Sequence, residues 1–373
     1  METFKIKFGT VQTVLALGPE SAGNFCLYAG GVLYFSEDFG DLLEDNNFHK
    51  FRLAVLNFLK KNAIKPDVIL TDLHPSYKTT VLGQELSKVF KAKHVRIQHH
   101  IAHIFSATGE KMLETKNYVL KDFMGIACDG TGYGLDEKIW GGEIFKIRCQ
   151  NAKVKDIKRI GHLENHILLG GDLAIREPAR MLFSILSKFL DRKTVYSYLK
   201  NYYSKSEFGV LYSQLEQRFN CQETSSTGRI LDAVSVLLGF AGNVRKYKHE
   251  PIERLEKNST EPYSIRPTII FNKSTRQYIL QTTSLFKYLV KNIKKDKKRL
   301  AATAQLYIAC GLFKIAQKNG AKKIYFSGGV ANNKIISSYL ASQGFYANKK
   351  IPRGDAGISF GQIFYYLLAD PRD

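Results

Sequence analysis

The stretch MGIACDGTGYG, residues 124–134, joins an apolar run to three closely spaced glycines. Met124 to Cys128 predicts a short buried strand, and the glycine-rich segment predicts a turn at its end. Because glycine lets backbone N–H groups approach a bound anion, the turn could cradle a phosphate, although a hairpin turn has the same pattern. Asp129 stands at the strand end, where its carboxylate could accept a hydrogen bond or ligate a metal.

Strands and helices alternate upstream of this stretch. Residues 10–36 alternate apolar runs with glycine and predict short strands, with Gly30 and Gly31 closing a hairpin. Apolar spacings of three and four residues then predict helices between short strands. The last helix of this half is expected from about His99 to Thr108, with Gly109 as its C-terminal end.

The downstream half repeats this order. A strand meander followed by alternating helices and strands, found twice, predicts an α/β protein of two lobes. We expect an N-terminal α/β lobe at 1–115 and a C-terminal α/β lobe at 122–373 with a helical insertion at about 172–300. The polar, lysine-rich segment 109–121 is the expected boundary. Ligands in such folds bind at the carboxyl ends of strands.

Composition restricts the class of protein. The chain has 55 Lys and Arg against 34 Asp and Glu, a formal net charge of +21. The lysines are dispersed, and the densest run, residues 291–299, is typical of a solvated helix face, so nucleic-acid binding is not favoured. The five cysteines contain no C-x-x-C pair, which favours buried thiols in a reducing compartment over disulfides or a zinc ribbon. No apolar run reaches the ~20 residues that span a bilayer, and no signal-peptide core is predicted. We therefore expect a cytoplasmic protein without membrane contact.

Three histidines lie within five residues at 99–103. His99 and His103 are four apart, so on a helix both imidazoles can face one metal ion. A zinc-protease helix has this spacing but needs a glutamate where His100 stands, so a protease is excluded. The alternative is that the histidines are core or surface groups. A metal would need further ligands from elsewhere in the chain.

Other segments carry weaker signals. Arg176 and Arg180 are four apart, so one helix face would present both guanidiniums to a phosphate or carbamoyl oxygen, unless they form a surface pair. Gly328 and Gly329 follow a strand and would allow backbone approach by a nucleotide, or form a tight turn with Asn332 as a helix N-cap.

Two further carboxylates have alternative readings. Asp232 lies one helical turn after Arg229, so a salt bridge explains the pair. Asp355 precedes a predicted helix as a cap or as a free carboxylate on a glycine-flanked loop.

Nine stretches, in their order along the chain, resemble one family. The chain is similar to the C-terminal, Kae1-like domain of the carbamoyltransferase HypF. The matching stretches are LALG 15–18, DLHP 72–75, QHHIAH 98–103, DGTGYG 129–134, WGGE 140–143, GGDLAIREPAR 170–180, GR 228–229, DAV 232–234 and SGGV 327–330.

The resemblance implies a two-lobed actin-like ATPase (ASKHA, RNase H-like) fold with a nucleotide between the lobes. It implies transfer of a carbamoyl group from carbamoyl-adenylate to a C-terminal cysteine thiol of a HypE-like partner, for the cyanide ligand of NiFe hydrogenase. One divalent metal, iron or zinc, would be held by His99, His103, Asp129 and Asp355. Arg176 and Arg180 would act on phosphate or carbamoyl oxygen. The residues assigned to the nucleotide are Asp129, Gly130, Thr131, Gly132, Gly171, Asp172, Gly228, Asp232, Gly328, Gly329 and Asn332.

Three departures from the family keep alternatives open. The family's adenylate-forming YrdC-like module is not in this chain, so a separate protein would supply the carbamoyl-adenylate. Residues 17–23 lack the lysine that the family tends to carry, and Tyr247–Ile252 replaces the small-residue stretch of the family. A tRNA threonylcarbamoyl-transfer protein of the Kae1 type and a non-catalytic nucleotide-binding scaffold remain as alternatives.

Overall fold

Two β-sheets and a set of helices make up the fold. The computed structural model describes residues 1–6, 8, 10–320 and 322–369. The strands are β1 (Glu2–Lys5), β2 (Val14–Ala16), β3 (Cys26–Ala29), β4 (Val32–Phe35), β5 (Val68–Asp72), β6 (Lys93–Ile97), β7 (Phe123–Tyr133), β8 (Ile139–Gln150), β9 (Lys153–Leu163), β10 (His166–Leu169), β11 (Cys221–Thr224), β12 (Ile269–Asn272), β13 (Gln277–Leu280), β14 (Ile324–Ser327) and β15 (Tyr346–Ala347).

The helices connect these strands and cover the sheets. They are α1 (Asp45–Lys61), α2 (Lys78–Phe90), α3 (His99–Thr115), α4 (Leu173–Arg176), α5 (Ala179–Leu186), α6 (Arg192–Leu199), α7 (Lys205–Glu216), α8 (Thr227–Leu238), α9 (Glu250–Lys257), α10 (Thr282–Lys291), α11 (Lys297–Lys318), α12 (Lys334–Ser342) and α13 (Ile358–Leu368). Short 3-10 turns span Gly329–Asn332 and Asp355–Gly357.

Both sheets contain the same five-strand arrangement. The first sheet has the order β1-β4-β3-β2-β5-β6, and the second has β12-β13-β9-β8-β7-β14-β15, with β10 and β11 attached at β8. Each therefore contains three antiparallel strands followed by two parallel ones, in the order third, second, first, fourth, fifth. Gly30 and Gly31 form the predicted hairpin turn between β3 and β4, with φ of 56° and 81°. This duplicated arrangement is that of the actin-like ATPase (ASKHA, RNase H-like) fold, as predicted.

Two helices form the layer between the sheets. Helix α3 contacts β7 and β14 of the second sheet, and α13 contacts β2, β3 and β5 of the first. The helices approach closely, because a Cβ on Gly361 would lie 1.9 Å from the Ala102 carbonyl oxygen. Likewise, a Cβ on Gly109 would lie 2.5 Å from the Phe364 ring. Gly109 is therefore a packing position inside α3, and the prediction that it ends the helix is wrong.

The region around residues 172–300 supplies most of the helices that cover the second sheet. It also contains β11, β12 and β13. The lysine-rich run 291–299 is not one helix face, because α10 ends at Lys291 and α11 begins at Lys297. The division into lobes at 1–115 and 122–373 stays a prediction. Among the described residues, no helix combines the length and apolar composition that crossing a membrane requires.

Candidate metal centre and nucleotide turn

Strand ends and helix starts from both sheets meet at one place. Strand β5 ends at Asp72, and Asp129 follows the regular part of β7. Helix α3 begins at His99, and Asp355 begins the 3-10 turn before α13. The amide side chain of Gln98 caps α3 by accepting from Ile101 N–H at 2.9 Å, which fixes the start of the helix.

His99, His103, Asp129 and Asp355 lie together. The Nε2 of His99 is 3.2 Å from Asp129 Oδ2 and 3.6 Å from Asp355 Oδ1. The Nε2 of His103 is 3.7 Å and 3.4 Å from the same two oxygens. One ligand atom from each residue lies within 4.8 Å of all the others. The structure thus brings together the four side chains that the sequence assigned to a metal.

These separations fit one ion. Donors at ~2.0–2.2 Å from a tetrahedral metal lie about 3.4 Å from one another, and the four separations above bracket that distance. Imidazole nitrogen and carboxylate oxygen are ligands for divalent metals of the first transition row. The Nε2 of His103, which faces the two carboxylates, is buried without a hydrogen-bond partner among the described residues, as expected for a nitrogen that can bind an ion. The assignment as ligands stays a prediction.

Asp72 orients His99. Its Oδ2 accepts from His99 Nδ1 at 2.7 Å, so the other ring nitrogen, Nε2, faces Asp129 and Asp355. Its Oδ1 accepts from the His74 backbone N–H at 3.0 Å. A carboxylate on the non-ligating nitrogen is the usual support of a metal-bound histidine. No role was predicted for Asp72, although it stands at the end of a predicted strand and begins the DLHP motif.

Electrostatics favour charged carboxylates at the cluster. Burial lowers the pKa of His99, but Asp72, Asp129 and Asp355 outweigh it and raise that pKa well above its ordinary value. Burial also lowers the pKa of His103, but Asp129 and Asp355 outweigh that effect and raise the pKa above its ordinary value. Burial raises the pKa of Asp129, but His103 and His99 hold it well below its usual range. The pKa of Asp355 is lowered by the same two imidazoles, against burial and the Asp129 charge.

His100 is not part of the cluster. Its Nδ1 is 3.0 Å from the Gln98 amide nitrogen, and its ring lies against Trp140. Burial, together with the neighbouring His99, lowers the pKa of His100 to about 3, so it is neutral. His100 is therefore a core group, which was the alternative interpretation of this motif.

The glycine-rich segments pack around Asp129. Its Oδ1 accepts from the Gly329 backbone N–H at 3.0 Å, while Oδ2 faces the imidazoles. Gly328 has φ of 105°, and a Cβ there would lie 2.2 Å from the Cys128 carbonyl oxygen, so only glycine fits. A Cβ on Gly228 would lie 2.8 Å from the Gly130 Cα. Glycines from β7, α8 and the turn after β14 therefore meet beside the candidate metal ligands.

The other residues assigned to the nucleotide have mixed surroundings. Strand pairing of β7 shifts between Cys128 and Gly132 and then resumes, so Gly130 and Thr131 form an irregularity within the strand and not a turn at its end. Gly132 lies against His99 and His100. Asn332 is exposed, and Asn333 caps α12 instead by accepting from Ile336 N–H at 3.0 Å.

Asp232 forms the expected salt bridge. It pairs with Arg229 at 2.8 Å and also contacts Arg245, and its side chain is 1% exposed. Gly171 lies against Asn220, and Asp172 precedes α4, so this pair belongs to the β10–α4 connection.

Arg176 and Arg180 do not share a helix face. Helix α4 ends at Arg176 and α5 begins at Ala179, with Glu177 and Pro178 between them. The Nε of Arg180 donates to Glu177 Oε2 at 2.6 Å. The prediction that one face carries both guanidiniums is wrong, and their catalytic role stays a prediction.

The two stretches that depart from the family pattern meet beside Asp355. Lys248 Nζ donates to the Ser21 carbonyl at 3.2 Å, which joins the segment 247–252 to the segment 17–23. The hydroxyl of Ser21 donates to Asp355 Oδ2. Burial lowers the pKa of the neighbouring His249. Ser21 and Lys248 were not predicted as site residues.

Comparison with protein families gives matches along nearly the whole chain. Residues 9–110 match the HypF Kae1-like domain, and residues 125–362 match the second subdomain of the carbamoyltransferase Kae1-like domain.

Relatives and solved structures agree with these matches. The chain is 36% identical over 384 residues to "Probable carbamoyltransferase HypF" of Methanocaldococcus jannaschii, covering 98% of this chain and 48% of that protein. It is 28% identical to "Carbamoyltransferase HypF homolog" of Cupriavidus necator, covering 94% of this chain and 90% of that one. The T. kodakarensis HypF structure is 30% identical with a TM-score of 0.84, covering 97% of this chain and 48% of that one. A full-length HypF in its phosphate- and nucleotide-bound form is 25% identical with a TM-score of 0.83, covering 98% and 47%. The chain thus spans about half the length of several relatives it matches.

Proposed function

The chain belongs to the family of HypF Kae1-like carbamoyltransferase domains, and from this premise we propose that it transfers a carbamoyl group from carbamoyl-adenylate to a protein thiol. The observation that carries the proposal is the convergence of His99, His103, Asp129 and Asp355 next to the Gly328–Gly329 turn. In this proposal the four-residue cluster holds the metal that binds the acyl group, and the glycine-lined turn beside it holds the nucleotide.

The substrates follow from the family. The donor is carbamoyl-adenylate, made by a separate YrdC-like protein or domain, and the acceptor is the C-terminal cysteine of a HypE-like protein in NiFe hydrogenase maturation. A relative whose structure is described as phosphate- and nucleotide-bound supports an ATP-type nucleotide as the ligand.

Each part of the site has a physical task. His99, held by Asp72, and His103 present neutral nitrogens once their protons leave, and Asp129 and Asp355 supply two negative charges. A divalent metal held there, iron or zinc, would polarise the carbonyl oxygen of the carbamoyl group. Asp129 also fixes Gly329, so the acyl-binding and nucleotide-binding parts share one carboxylate.

The reaction needs no nucleophile from this chain. Cys128, the cysteine next to Asp129, is fully buried, and burial raises the pKa of its thiol to about 12. It is therefore a neutral thiol and a poor nucleophile. The acceptor loses its proton to solvent and attacks the carbamoyl carbon as a thiolate, the bond from that carbon to the phosphate oxygen breaks, and AMP leaves with its phosphate facing the glycine turn.

The test uses purified metal-loaded protein, synthetic carbamoyl-adenylate and a peptide with a C-terminal cysteine. We expect AMP release together with a thiocarbamate on the peptide, and neither product with the His103→Ala variant. Absence of both products from protein with intact metal content would reject transfer.

A tRNA threonylcarbamoyl-transfer protein is the second candidate, and the net charge of +21 favours it. Binding of tRNA that weakens steeply with salt would support that function. The departures at residues 17–23 and 247–252 favour a scaffold that only binds nucleotide. Tight nucleotide binding without metal or turnover would support the scaffold.

A further inference from the structure

Arg353 joins the nucleotide turn to the loop that carries Asp355. Its Nη1 donates to the Ala331 carbonyl at 2.7 Å and to Ser337 Oγ at 3.0 Å. Its Nε donates to the Asn348 carbonyl at 2.8 Å. A guanidinium is planar and rigid, so these donors fix the direction of the side chain as well as its position.

The backbone of Arg353 makes the same connection. Its carbonyl accepts from the Gly328 N–H at 2.9 Å and lies 3.1 Å from Ser327 Oγ, whose single proton is shared with Asn348 Oδ1. Asp355 follows two residues later. Any displacement of the Gly328–Asn332 turn is therefore imposed on the backbone next to this candidate metal ligand.

Asn348 forms a second connection, from the turn to α3. Its Oδ1 accepts from Ser327 Oγ at 3.0 Å, and its Nδ2 donates to Ser106 Oγ at 3.2 Å. Ser106 lies on α3 one turn after His103. All three side chains are buried, at 0–1% exposure, where hydrogen bonds gain from the low dielectric.

We infer that Arg353 and Asn348 are positioning residues that couple nucleotide binding at the Gly328–Asn332 turn to metal binding by Asp355, His103 and Asp129. The inference rests on the proposed function, because it takes these as the nucleotide and metal sites. Asp129 carries part of the coupling itself, through its bond to Gly329. A nucleotide that orders the turn thus also orders the metal ligands, through Arg353, Asn348 and Asp129. Each ligand should therefore strengthen the binding of the other.

The experiment measures Co²⁺ affinity by chelator competition, with and without saturating AMP or ATP, and nucleotide affinity with and without Co²⁺. In wild type we expect each ligand to strengthen the other by the same factor, about 5-fold or more. In Arg353→Met, which keeps side-chain length and loses the guanidinium donors, both ligands still bind and the factor falls to about half of the wild-type value or less, while the Asn348 and Asp129 connections keep it above unity. Arg353→Lys should give an intermediate factor.

Two further variants control the comparison. Lys350→Met removes a cation from an exposed side chain of the same loop and should keep the wild-type factor. Ser337→Ala removes one of the acceptors of the Arg353 guanidinium without changing a core side chain, and it should reduce the coupling factor. This variant tests the inference even if Arg353→Met fails to fold.

The outcomes separate this inference from the proposed function. Wild type that binds Co²⁺ and nucleotide independently overturns the coupling and leaves the proposed function intact, as does a full wild-type factor in Arg353→Met. Wild type that binds neither ligand overturns the proposed function, and the coupling falls with it.

Discussion

The histidine pair at 99 and 103 and the arginine pair at 176 and 180 have the same spacing in the sequence. In α3 that spacing brings two imidazoles to one point, with ring centroids 4.9 Å apart. At the arginines it does not, because the chain leaves the helix at Glu177, with φ of −113° and ψ of 82°, immediately before Pro178. Proline disfavours helical backbone in the residue before it. A four-residue spacing therefore predicts a shared face only where the helix is continuous.

Loss of His103 should have the largest effect. In His103→Ala the metal loses one of four ligands, so we expect Co²⁺ or Zn²⁺ affinity to fall by about 1,000-fold or more and the purified protein to lose its metal. Elemental analysis and chelator competition measure this. His49→Ala, at an exposed histidine of α1, should retain wild-type metal content. Full metal content in His103→Ala would show that His103 is not a ligand.

The pH dependence of metal binding should come from the imidazoles. The pKa values of His99 and His103 are raised, so protons occupy these nitrogens below the raised values and compete with the metal. The pKa values of Asp129 and Asp355 are lowered, so both stay ionised near neutral pH. Metal affinity should therefore rise with pH up to the raised pKa values of the imidazoles, by up to about tenfold per unit for each imidazole that releases a proton, and level off above them.

Competition titrations at several pH values measure that slope. His100→Gln should leave it unchanged, because the pKa of His100 is already lowered to about 3. An affinity independent of pH between 6 and 8 would contradict the assignment of the imidazoles as ligands.

Asp72 directs His99 toward the other three side chains, whereas Glu177 holds Arg180 at the break between α4 and α5. Asp72→Asn keeps an acceptor for His99 but removes the charge, so metal affinity should fall by about 10–100-fold while the fold is retained. Asp67→Asn, at an exposed carboxylate before the same strand, is the matched control. Unchanged affinity in Asp72→Asn would show that His99 needs no support.

Arg180 should have the smallest effect. Arg180→Ala breaks the ion pair with Glu177 and should lower the free energy of unfolding by about 1–3 kcal/mol without changing metal content. Denaturant titration measures the change. Loss of carbamoyl transfer with the free energy of unfolding unchanged would contradict a structural role and restore the arginine to the catalytic group.

Local patterns in the sequence predicted most of the fold. Apolar spacing located the strands and helices, and the paired glycines located the β3–β4 hairpin, because those signals act over a few residues. The end of α3 was missed because Gly109 serves the packing of Phe364 from α13, a contact that local pattern does not contain. The N-cap of α12 was displaced by one residue, from Asn332 to Asn333, for a similar reason: Asn333 is also held by a bond to Gln305.

The site shows the same division. Resemblance brought His99, His103, Asp129 and Asp355 into one list, and the fold brings them into one place. The other site residues, which are Asp72, Ser21 and Arg353, contact a candidate ligand or the glycine turn and do not themselves belong to the four-residue cluster. Each of them contacts a residue that is distant in the sequence. Such contacts depend on how the strands pair and the helices pack, which local sequence patterns do not specify.

The close packing of α13 on α3 has a consequence for how the protein reaches its native state. His99 begins α3 and Asp355 lies in the 3-10 turn before α13, so the four donors come together only through contacts between distant parts of the chain. An unfolded or half-folded chain offers isolated ligands, whereas the native chain offers all four. An ion that binds only the complete set of four ligands therefore stabilises the native state selectively. Metal uptake then reports the fraction of the protein that has reached its native fold.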